Sequence, residues 1–244
     1  LAFLVRPFPL LFLLAIVFVG LREGRPRAAA TALVSAPLAA LALYIPALLL
    51  WGDSILAAPR AWWSVGPGYG APALVPQLFG HGWPTWFLTG VAVAGWLLAL
   101  AVGAGLTFRS YHRPDAVRVA AVMLLIVVVT GKSLSVQSGL WLLPLLALSA
   151  VRWRDHLIWA AAEILHFEAT WLHIGFGSDP GKGLPGTTYS LAILLRMAAW
   201  SWVVWQIWSV GDRHRPRHTA DAVPADPPSV VVDGEAGERP VQRL

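Results

Sequence analysis

Lys132 stands in the turn Gly131-Lys132-Ser133-Leu134-Ser135-Val136-Gln137-Ser138-Gly139, with Ser135 and Gln137 close behind it. An ammonium, hydroxyls and a carboxamide gathered in one turn form an anion site, because lysine binds phosphate as a point charge and its neighbours add hydrogen bonds. An ordinary turn with a lysine reaching for water is the alternative on spacing alone. A second set lies further on. Glu163, His166, Thr170 and His173 follow a 3-4-3 spacing that puts them on one helix face. Glu163-x-x-His166 is also the spacing of di-iron bundle ligands. No second such pair occurs in the chain, so no metal site is expected. The reading is a structural polar network, with a proton relay through Glu163 and His166 as the lesser alternative. Arg6 falls in the first apolar run and Arg196 in the last. Glu168 and Arg196 lie at similar depth in adjacent runs, eight residues from Phe176 and seven from Tyr189, roughly 10–12 Å at the helical rise. They are expected to form an intramembrane pair.

The elements that must position these groups are apolar helices. Of the 244 residues 57% are hydrophobic and 13% charged, and the mean hydropathy is +0.63; a soluble domain is nearer 25% charged. Apolar runs occupy about 1–20, 28–51, 85–106, 117–131, 134–151, 155–176 and 189–210, each approaching the ~20 residues of one crossing. The predicted fold is an all-α polytopic transmembrane helical bundle of about seven spans over 1–210. One long external joint, 52–84, is rich in proline and glycine and carries Trp62, Trp63 and Trp83, which suits the membrane interface. Residues 211–244 are polar, with many Pro, Asp, Arg and Gly, and are read as a disordered cytoplasmic tail. With no cysteine present, disulfides and a thiol nucleophile are excluded.

Orientation follows from the basic residues. One set of alternate joints, with the tail, holds Arg22, Arg25, Arg27, Arg109, Arg113, Arg118, Arg152, Arg154, Arg213, Arg215, Arg217, Arg239 and Arg243. The opposite set holds Arg60, Lys132 and Lys182. The positive-inside rule places the tail in the cytoplasm and Leu1 outside. The net charge of +5 is thus a topology signal with some attraction to anionic membrane lipid, and no nucleic-acid partner is expected. Residues 119–151 are too few for two full spans, so a hairpin of two short helices is predicted, with the Lys132 turn at or below the outer surface. Non-helical backbone there must be buried in protein or line a wet cavity.

Lys132-x-x-Ser135-x-Gln137-x-x-x-Trp141-x-x-Pro144 resembles a motif of polyprenol-phosphate-sugar-dependent membrane glycosyltransferases of the GT-C type, nearest the bacterial glycosyltransferase family 87, which includes mannosyltransferases. Val136 and Ser138 stand where that family has a proline and an aromatic. Arg6-Pro7-Phe8-Pro9 resembles its basic-x-aromatic-Pro element, and Gly68-Tyr69-Gly70-Ala71-Pro72 through Pro76-Gln77 resembles its external loop. The resemblance implies transfer of a sugar, mannose or a similar hexose, from a polyprenyl-phosphate donor to a lipid or glycan acceptor outside the cytoplasm. It implies no cofactor. Lys132, Ser135, Gln137 and Arg6 are then the donor-phosphate residues, since positive charge stabilises a departing phosphate in a low-dielectric cavity.

The family's catalytic carboxylate lies near the N-terminus, in the first external loop, where it deprotonates the acceptor. The acids in the external joints here, Asp53 and Asp179, match no such position. No catalytic base is assigned, and the chain is expected to be the C-terminal part of a longer enzyme. A transporter or channel and a non-catalytic membrane scaffold are the alternatives.

Overall fold

The structure is a computed structural model, and it describes residues 8–111, 114–179 and 181–213. Arg6 and the tail from His214 lie outside the described residues. Among the described residues every regular element is helical: α1 Pro9–Arg22, α2 Pro26–Trp51, α3 Ala57–Ser64, α4 Val75–Leu78, α5 Thr85–Arg109, α6 Ala116–Thr130, α7 Leu143–Ala147, α8 Trp153–Ser178 and α9 Gly186–Arg213. Short 3-10 turns cover Gly52–Leu56, Pro72–Leu74 and Val136–Leu142.

The boundaries follow local chemistry. Pro9 and Pro26 open α1 and α2, where a missing N–H is harmless and the fixed φ suits a helix. Asp115 caps α6, its carboxylate accepting from the Arg118 N–H at 2.9 Å. α2 stops at Gly52, which takes φ +56°, a conformation that favours glycine.

One core joins α1, α5, α6, α7 and α9, with Leu11, Ala15, Met123, Leu124, Leu142 and Trp200 fully buried in it. Two glycines bring α5 hard against α6. A side chain at Gly95 would collide with Thr130, and one at Gly103 with Met123. Small residues allow this close approach where lipid gives helices no hydrophobic drive to associate. α8 and α9 pack side by side across the short joint 179–185. A smaller cluster of Leu74, Ala169, Tyr189, Ala192 and Ile193 packs the joined end of the two helices against the 72–78 segment.

Among the described residues, three helices are long and apolar enough to cross a bilayer: Pro26–Trp51, Thr85–Arg109 and Gly186–Ser209. The sequence reading counted about seven. α1, α6 and the piece Val136–Ala147 are apolar but shorter. α8 has the length, 26 residues, but carries Arg154, Asp155, Glu163 and Glu168. Beyond Ala29 no residue of α2 is buried, and Leu33, Leu38, Leu41, Ile45 and Leu49 are at half exposure or more. Such an apolar cylinder suits hydrocarbon rather than water.

The region 119–151 is built from two short helical pieces, α6 and the 136–147 segment, packed into the same core. The long joint 52–84 is structured by α3, α4 and the two 3-10 turns around them.

Candidate functional site

The three stretches that carry the family resemblance converge. Phe8 of the first stacks on Trp141 of the third, with ring centroids 4.5 Å apart and planes 13° apart. The second pairs with the third through its backbone: the Gly68 N–H donates to the Lys132 carbonyl at 2.8 Å, and the Gly70 N–H to the Leu134 carbonyl at 3.0 Å. Both glycines are required by this approach. A side chain at Gly68 would strike the Leu134 carbonyl, and one at Gly70 the Ser135 carbonyl and the Arg196 guanidinium.

Lys132 is 1% exposed. Its ammonium donates to Thr89 Oγ1 at 2.6 Å and to the Trp63 carbonyl at 3.3 Å. It also lies 4.5 Å from the centre of the Trp62 ring, within the range of a cation–π contact. The Trp63 carbonyl belongs to the last turn of α3, where carbonyls carry partial negative charge. All three partners are neutral. No carboxylate neutralises Lys132 among the described residues. Beside it opens a cavity of about 130 Å³ lined by Phe8, Trp62, Trp96, Ser133, Leu134 and Trp141, among others. An unpaired buried cation against aromatic walls is equipped to receive an anionic group.

Ser135 and Gln137 do not join Lys132 at this cavity. Ser135 is half-buried and its carbonyl accepts from the Ser138 N–H at 3.1 Å. Gln137 is exposed and lines a different cavity, of about 410 Å³, with Trp159, Glu163 and Glu168. The 3-10 turn that starts at Val136 swings the chain past the Lys132 pocket. Arg6 falls among the undescribed residues. Of the four expected donor residues, the structure therefore gives a buried cationic pocket to Lys132.

The expected pair of Glu168 and Arg196 is replaced by another. Arg196, fully buried, donates from Nε to both carboxylate oxygens of Glu163, at 3.0 and 3.1 Å. Its other nitrogens reach the Gly70 carbonyl at 3.2 Å, the Val136 carbonyl at 3.2 Å and Ser138 Oγ at 3.0 Å. Trp200 Nε1 donates to Glu163 Oε1 at 2.6 Å. Glu163 and Glu168 are five residues apart, roughly 140° around the helix. Depth fits either acid, but Glu163 is the one whose carboxylate meets Arg196. Glu168 is exposed.

The remaining polar groups of α8 tie down the 52–84 segment. Tyr189 donates its hydroxyl to the Tyr69 carbonyl at 2.5 Å, and His166 Nε2 reaches the same oxygen at 3.2 Å. The acceptor is a carbonyl, so Nε2 carries the proton. Nδ1 is then a bare, buried acceptor with no partner among the described residues. Thr170 Oγ1 lies 3.0 Å from the Tyr189 hydroxyl. His173 stacks on Tyr189 at 4.6 Å and its Nδ1 bonds the Leu184 carbonyl at 3.0 Å. Glu163, His166, Thr170 and His173 thus share one face, as their spacing predicts. Asp179 bridges Lys182 at 3.2 Å, well exposed.

Sequence reasoning missed Thr89, Trp62, Ser138, Trp200 and Tyr189. Trp200 carried a usable signal, since it lies one turn beyond Arg196 on the same helix face. With Trp202, Trp205 and Trp208 it also fits the pattern of an interfacial tryptophan belt. The structure buries it completely, and Trp202 Nε1 bonds Asp155 Oδ1 at 3.1 Å. Nothing in the sequence marks Thr89 as the lysine's partner. Compared with known proteins, the chain matches no family model, no curated protein and no solved structure.

Proposed function

We propose that this chain belongs to a membrane glycosyltransferase of the polyprenyl-phosphate-sugar-dependent kind, and that the Lys132 pocket receives the phosphate of the lipid-linked donor. The observation that carries the reading is the Lys132 ammonium, buried among neutral partners at an aromatic-lined cavity. A buried cation without an anion is costly, and a phosphate bound there offsets that cost. The convergence of the three family-like stretches on this pocket supports the same reading.

The proposed topology has seven crossings, with the Lys132 side external and the tail cytoplasmic. Three long apolar helices support it. So does the meeting of two arginine-rich joints: the Arg22 guanidinium, at the end of α1, bonds the Thr107 and Ser110 carbonyls at the end of α5.

The test is binding of a fluorescent polyprenyl phosphate to the chain in nanodiscs. Lys132→Ala should weaken it about tenfold or more, since a charge-assisted hydrogen bond contributes ~1.5–3 kcal/mol. Lys132→Arg should retain part of the binding, because charge survives while the shape differs. Equal binding by wild type and Lys132→Ala would overturn the proposal.

A further inference from the structure

We propose that the outer face of α8 is a docking seam for a second, different membrane helix that carries a lysine or arginine opposite Glu168. Leu157, Ala161, Ile164, Glu168, Trp171 and Gly175 are all exposed and follow each other at spacings of four and three. That spacing is a helix-pairing stripe with a period of seven residues in every two turns. Its members are apolar or small except at the centre, where Glu168 has no hydrogen-bond or ion-pair partner among the described residues. Glu168 is ten residues from Ser178 and fifteen from Trp153, about 15 and 22 Å along the helix. Neither end is near enough for a short acidic side chain to reach the headgroups. In hydrocarbon an ionised carboxylate at such depth needs a partner.

The groove beside the seam adds apolar surface. Leu165, Leu172, Leu191 and Leu195 line a cleft of about 310 Å³ that Glu168 borders. A second cleft of about 550 Å³ continues it past Ala198 and Trp202. The only other polar side chain along the first cleft is that of Thr188. On this flank, apolar walls beside one carboxylate fit an apolar helix with one cationic group. A second copy of this chain fits poorly. Two copies inserted the same way are related by an axis along the membrane normal, so the seam would place Glu168 against Glu168, and like charges repel.

The inference rests on α8 lying within the bilayer, as in the topology above, and not on the Lys132 site. The probes are two transmembrane peptides of equal length, one all leucine and one with a single central lysine. The full chain, labelled at Gly177→Cys, is placed in lipid vesicles and association is read by energy transfer; it contains no other cysteine. The lysine peptide should associate about tenfold more tightly than the leucine peptide. Glu168→Leu should erase that preference, and Glu168→Lys should reverse it toward a peptide with a central glutamate. Equal association of the two peptides with the wild-type chain overturns the proposal. So does efficient disulfide formation between two copies of the Ala161→Cys variant, which would assign the seam to self-association. Polyprenyl-phosphate binding measured on the same vesicles keeps a failure here separate from a failure at Lys132.

Discussion

Arg196 holds Glu163 through one nitrogen and both carboxylate oxygens, at 3.0 and 3.1 Å, while its remaining nitrogens clamp Gly70, Val136 and Ser138. One buried guanidinium therefore fastens two helices and two loops. Replacing Glu163 with leucine strands the arginine and should cost ~3–5 kcal/mol. Replacing both Glu163 and Arg196 with leucine should recover the charge penalty but not the loop anchors, so the double variant should fall short of the sum without returning to wild type. Glu168→Leu should leave unfolding unchanged. A thermal-denaturation series in detergent checks all of these, and strong destabilisation by Glu168→Leu would contradict the pairing.

How this pair was misread in sequence shows where sequence reasoning stops. Counting residues from the helix ends gives depth, and Glu163 and Glu168 both sit at workable depths along α8. Azimuth decides between them, and it depends on which face α8 turns to α9, a matter of packing. The 3-4-3 face of Glu163, His166, Thr170 and His173 was legible because it is a property of one helix. The apolar runs were legible for the same reason. The Lys132 pocket was half legible: its turn stood out, but Thr89 and Trp62 come from distant segments with no local mark. Ser135 and Gln137 were grouped with Lys132 because they are close in sequence, and the 3-10 turn at Val136 separates them.

Glycine substitutions should divide sharply. Gly139→Ala would drive a methyl group into the Glu163 carboxylate, and Gly70→Ala one into the Ser135 carbonyl. Overpacking of this kind costs ~1–3 kcal/mol. Gly90 in α5 meets nothing within 4 Å, so Gly90→Ala should be neutral or stabilise by up to ~1 kcal/mol through helix propensity. Unfolding midpoints of the three single variants make the comparison. Equal losses in all three would mean the close approaches at Gly70 and Gly139 do not exist.

The proposed topology has a direct check, because the chain contains no cysteine. Single cysteines at Lys182 and at Arg109 can be labelled with a membrane-impermeant maleimide in sealed cells. Lys182→Cys should react from outside, and Arg109→Cys only after the membrane is opened. Arg154→Cys should behave as Arg109→Cys does. External labelling of Arg154→Cys would break the hairpin assignment of 119–151, since it would leave an odd number of crossings between Arg109 and Arg154.

Lys132 should show a conflict between stability and binding. Its ammonium is buried against Thr89, the Trp63 carbonyl and the Trp62 ring. Removing a buried charge in favour of an apolar side chain of similar length is often neutral or stabilising, by ~1–4 kcal/mol for buried ion pairs and triads. Lys132→Met keeps the stem and discards the charge, and Thr89 keeps its own bond to the Thr85 carbonyl at 2.8 Å. The variant should therefore unfold at the same temperature as wild type or higher. Its binding of polyprenyl phosphate should nevertheless fall about tenfold or more, in line with the loss of a charge-assisted bond. A lysine that merely pinned α3 to the bundle would give the opposite pattern, with lower stability in Lys132→Met and no change in phosphate binding. Measuring both quantities on one preparation decides between a residue retained for the fold and one retained for an anionic ligand.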